Sequence, residues 1–150
     1  MKKFFVVFCV AVAFSVYAQT QTLTVIRAVV GADLTITTSI PSIKTIDPGL
    51  TGATLGDVTI SSNIAGAWRI VFSSSNSGAM IRVGGTERFP YRLNFGDTTG
   101  HNLAQNLTIN KANTQVATTT SVSISYQTAA SLSLPAGTYE DTLTISLSPQ

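Results

Sequence analysis

Apolar and polar residues alternate with a period of two, broken roughly every ten residues by turn-forming clusters, and this pattern limits the chain to an all-β fold. Leu34 and Ile36 alternate with Thr35 and Thr37, Val58 and Ile60 flank Thr59, and Trp68, Ile70 and Phe72 alternate with Arg69 and Val71. Tyr91-Leu93-Phe95, Leu107-Ile109, Val122-Ile124-Tyr126 and Leu143-Ile145-Leu147 continue the series. Successive side chains of an extended strand point to opposite faces, so each run offers one apolar face to a core. Turn chemistry lies between the runs, at Asp47-Pro48-Gly49, Ser75-Asn76-Ser77-Gly78, Gly84-Gly85, Gly96-Asp97 and Pro135-Ala136-Gly137. About seven or eight short strands so connected predict a two-sheet sandwich with Greek-key connections, with a barrel or jelly roll as alternatives. Trp68, Ile70, Phe72, Tyr91, Leu93 and Phe95 are the expected core, and Trp68, the only tryptophan, is read as a core plug. Gln105 to Thr120 is the least patterned stretch, predicting a long loop that holds a short edge strand around Leu107 and Ile109.

The N-terminus follows a different rule. Lys2 and Lys3 precede an apolar run from Phe4 to Val16, and Val16-Tyr17-Ala18 ends in the small residue that signal peptidase requires. The run falls short of the ~20 residues of a spanning helix, so residues 1–18 read as a cleaved signal peptide and the mature chain as starting near Gln19, with no membrane span left. Nine Lys and Arg face seven Asp and Glu in the whole chain; losing Lys2 and Lys3 leaves seven against seven, so the apparent basicity offers nothing to nucleic acid or anionic membrane. The single cysteine, Cys9, leaves with the signal, so neither disulfides nor thiolate metal sites are expected despite export to an oxidising compartment. Of the 150 residues, roughly 130 remain, enough for one core and one domain, 19–150.

Chemistry-bearing residues are sparse, so no enzyme, cofactor or metal is expected. His101 is the only histidine and lies in the turn-like Thr99-Gly100-His101-Asn102, which reads as a solvated loop rather than a zinc ligand or a triad member. Glu140 and Asp141 are adjacent; neighbours on a strand point apart, so they read as guards against promiscuous edge pairing, not as an acid–base dyad. The remaining carboxylates lack calcium-loop spacing, and Gly84-Gly85-Thr86 lacks the lysine of a phosphate loop.

Three blocks together resemble a known family. Asn63-Ile64-Ala65-Gly66-Ala67-Trp68-Arg69-Ile70-Val71-Phe72-Ser73-Ser74, then Phe89-Pro90-Tyr91-Arg92-Leu93-Asn94-Phe95-Gly96, then the closing block from Leu134-Pro135-Ala136-Gly137 to Leu147 are similar to the spore coat protein U domain family, which includes pilins of archaic chaperone–usher systems. The resemblance implies an immunoglobulin-like sandwich lacking its last strand, whose open groove is filled by a periplasmic chaperone and then, at the usher, by the N-terminal extension of a neighbouring subunit. Counted back from Gln150, the positions of Leu147, Ile145, Leu143 and Gly137 resemble the chaperone-recognition ends of pilus subunits. Pro149 stands where many such pilins carry an aromatic residue, and the cysteines of the common family disulfide are missing.

The same resemblance implies a donor strand in residues 19–30. Leu23, Val25 and Val29 share one face, interrupted by Arg27, while Ile26, Ala28 and Val30 share the other. The alternative for this segment is the first strand of its own fold. At the level of function, the expectation is a pilus or fimbria subunit assembled by donor-strand exchange at the cell surface, its partners being neighbouring copies or related subunits, a periplasmic chaperone and an usher. The alternative is a self-complete module that binds carbohydrate or protein through loops presenting Tyr91, His101 or Asn102.

Overall fold

A computed structural model describes residues 27–112 and 116–150. The chain divides into Met1–Val30 and Gly31–Gln150. Of the first unit only Arg27–Val30 are described; they have no regular structure, and Val29 and Val30 are exposed. The signal-cleavage boundary and Leu23, Val25 and Ile26 of the expected donor strand lie outside the described residues.

Among the described residues of the second unit, all regular elements are strands: β1 (Leu34–Thr38), β2 (Gly52–Ser62), β3 (Trp68–Ser74), β4 (Ala79–Arg82), β5 (Arg88–Phe95), β6 (Thr98–His101), β7 (Leu107–Lys111), β8 (Val116–Tyr126), β9 (Tyr139–Glu140) and β10 (Leu143–Pro149). Seven of them form an antiparallel sheet in the order β1-β2-β8-β5-β4-β9, with β6 also on β5; the other three form a second sheet, β10-β3-β7. Ten strands exceed the number expected from alternation. β4, β6 and β9 are too short to display a period of two, and β6 occupies the stretch read above as the loop of His101. The predicted turns sit where expected in two hairpins, with Gly84 (φ 74°) between β4 and β5 and Gly96 (φ 57°) between β5 and β6.

One core joins the two sheets. Trp68, Ile70 and Phe72 of β3 meet Val58 and Ile60 of β2, Tyr91, Leu93 and Phe95 of β5, and Val122 and Ile124 of β8, all buried. The rings of Phe72 and Phe95 lie 4.7 Å apart across the layers, tilted by 53°, a packing that adds to plain burial. Trp68 is buried as the expected plug, but its Nε1 has no hydrogen-bond partner among the described residues.

Two local devices shape the chain beside β1 and β2. β2 carries an irregularity between Thr54 and Gly56, where Gly56 adopts φ 152°. A Cβ there would stand 3.0 Å from the Ile40 backbone nitrogen, so glycine lets the chain beyond β1 run close over β2. From there Ile40 and Ile46 pack on the core, and the Asp47-Pro48-Gly49 turn is tied by Tyr126, whose hydroxyl donates to the Asp47 carbonyl at 2.9 Å.

Candidate functional site

Among the described residues, each sheet ends on one side in a strand with an unpaired edge, and the two edges border one groove. β1 pairs only with β2, and β10 only with β3; among the described residues neither is hydrogen-bonded to a strand on its other side, although β1 and β10 come close to one another in places. Between them lies a groove of about 440 Å³. Ile36 and Thr38 of β1 line one wall, Leu143 and Ile145 of β10 the other, and Ile40, Ser42 and Lys44 close one rim. Leu55, Met80 and the buried Ile124 form the floor.

Burial distinguishes these edge strands from the strands they flank. The inward residues of β3, Trp68, Ile70 and Phe72, are at most 1% exposed, whereas Leu143, Ile145 and Leu147 on β10, opposite Ser74, Phe72 and Ile70, are only half-buried. On the opposite sheet Val58 and Ile60 are buried, while Leu34 and Ile36 of β1, opposite Ser62 and Ile60, are half-buried. An apolar row backed by a core but uncovered along an open backbone edge offers both halves of what an added strand needs: ladder hydrogen bonds and pockets for alternate side chains.

One end of the groove is polar. Asp141, just before β10, accepts hydrogen bonds at Oδ2 from the Ser74 hydroxyl (2.5 Å) and the Tyr91 hydroxyl (2.6 Å), and at Oδ1 from the Asn76 backbone N–H (3.0 Å). The Ser74 hydroxyl oxygen in turn accepts the Gly78 backbone N–H at 2.7 Å, so the carboxylate ties β3, the turn after it and β5 to the root of β10. Burial, reinforced by the hydrogen bond to Asp141, raises the Tyr91 hydroxyl well above the usual tyrosine range. Asp141 is therefore a clamp rather than a surface guard, and Glu140 lies in β9, opposite Ile81 of β4. Spacing alone could not reveal this, because Ser74 and Tyr91 come from distant parts of the chain.

The other expected site residues are dispersed. Gly137 lies outside β10, in a bend before β9, where a Cβ would meet the Arg82 Nε at 2.7 Å; it makes room for Arg82 and takes no part in the free edge. His101 ends β6, and its Nε2 is 3.2 Å from the Gln105 carbonyl oxygen. Asn102 and part of Tyr91 line a separate, more polar depression of about 500 Å³ together with Arg88 and Arg92, and His101 is not among its lining residues. Among the described residues no three His, Cys, Asp or Glu side chains gather to hold a metal, and no helix is long and apolar enough to cross a membrane. What the fold and site define is an all-β protein with an open apolar groove between two free sheet edges. No family model matches the chain, and no curated protein matches its sequence.

Proposed function

We propose that this chain is an exported, non-catalytic subunit of a surface fibre, and that it completes its fold with an extended segment from another molecule. The observation that carries this reading is the pairing of two open edges around one apolar groove: β1 and β10 hold half-buried apolar rows while the strands beside them bury theirs. The strand order fits an immunoglobulin-like Greek-key sandwich whose last strand, beside β10, comes from outside the chain. The resemblance to the spore coat protein U domain family and to archaic chaperone–usher pilins supports the same assignment, with a periplasmic chaperone as first occupant of the groove and the residue 19–30 segment of the next copy as second. Export through residues 1–18 then delivers the subunit to periplasm and cell surface.

Size-exclusion chromatography with light scattering tests this on chains beginning at Gln19 and at Gly31. The longer chain forms concentration-dependent oligomers and the shorter does not. A longer chain that stays monomeric and unfolds as cooperatively as the shorter one contradicts the proposal.

A further inference from the structure

The row that continues β10 and the N-terminal segment each carry one charge among apolar residues, and the two charges fall in matching places; Lys44 also lines the groove, at its rim. Along the continuation of β10, Asp141, Leu143, Ile145 and Leu147 occupy alternate positions of one face. Along the N-terminal segment, Leu23, Val25 and Arg27 do the same. We infer that the groove takes the N-terminal segment of a second copy antiparallel to β10, with Arg27 opposite Asp141, Val25 opposite Leu143 and Leu23 opposite Ile145. This rests on the strand-exchange function proposed above and specifies its register.

Electrostatics select this alignment over its neighbours. Sliding by two residues sets the Arg27 guanidinium against Leu143 and the groove wall, where burying an unpaired charge is costly. Sliding by one turns the Ile26, Ala28 and Val30 row inward and leaves Asp141 without a cation. Asp141 has no cationic partner among the described residues, and its three neutral donors leave a lone-pair site on Oδ1. A guanidinium fits such a carboxylate well.

Because the mature chain has no cysteine of its own, paired substitutions read the register directly. In the chain beginning at Gln19, Thr24→Cys with Thr144→Cys places the two thiols opposite each other on the outer face, where Thr144 is exposed. Mild oxidation of the assembled protein then gives a ladder of disulfide-linked oligomers on non-reducing gels. Thr24→Cys with Ser146→Cys, and Val25→Cys with Thr144→Cys, give little or none. A ladder from either of these instead overturns the register while leaving strand exchange standing. Failure of the unsubstituted chain to assemble overturns both. Independently of any cross-link, Arg27→Glu slows assembly about tenfold and Arg27→Lys largely preserves it; equal rates for all three chains also overturn the pairing.

Discussion

Asp141 ties the root of β10 to β3 and β5. Its carboxylate gathers two hydroxyls and a backbone N–H, and hydrogen bonds to a charged group contribute about 1.5–3 kcal/mol each when the partner is removed cleanly. Asp141→Ala leaves three donors without an acceptor, so an expected loss of about 2–4 kcal/mol is measurable by denaturant unfolding of the chain beginning at Gly31. Tyr91→Phe removes one donor and costs about 1–2 kcal/mol. The pH dependence follows from the raised titration of Tyr91. Its hydroxyl stays protonated in the fold at a pH where it ionises in the unfolded chain, so its contribution is whole below about pH 10 and falls as pH rises beyond that. Tyr126 is also raised, by burial and by Asp47, so Tyr91→Phe reduces the alkaline loss of stability without abolishing it. Unfolding curves between neutral pH and the alkaline limit check both statements.

Among the elements, β2 and β10 shape the groove. Gly56 lets the chain after β1 cross close to β2, and in doing so sets the rim of the groove. Gly56→Ala forces a side chain into φ 152° against the Ile40 backbone, with an expected cost of roughly 1–3 kcal/mol in the same unfolding assay. Ile145→Asp puts a charge on the half-buried row of β10; it abolishes assembly on chromatography while the variant retains β-sheet circular dichroism. How much of this is legible in sequence differs from strand to strand. Trp68-Ile70-Phe72 and Tyr91-Leu93-Phe95 alternate because each has one face on the core, and they mark β3 and β5 directly. Short elements are different: β6 is Thr-Thr-Gly-His, paired through β5 with no apolar face of its own, so its turn-like composition hides it. β8 begins ahead of its first predicted apolar residue, Val122, since its Thr-rich first half is specified by the ladder to β2 and not by a buried row. The open edges of β1 and β10 were not legible at all from alternation, which reports that a face is apolar and never whether another strand lies alongside.

For the whole molecule, the two sheets share one core but leave their borders unequal. β2, β3, β5 and β8 supply nearly all of the deeply buried apolar side chains, so the fold can stand without an added strand, while β1 and β10 leave an apolar groove open to water. On the proposed function, an incoming strand would add stability by supplying ladder hydrogen bonds and covering the half-buried rows together. The most direct test adds a synthetic peptide of residues 19–30 to the chain beginning at Gly31 and follows thermal unfolding. A groove that accepts this segment gives a saturable rise of several degrees in the midpoint, lost with Ile145→Asp. A midpoint that does not move at any peptide concentration, with β10 amides already protected from hydrogen exchange on both edges, contradicts it.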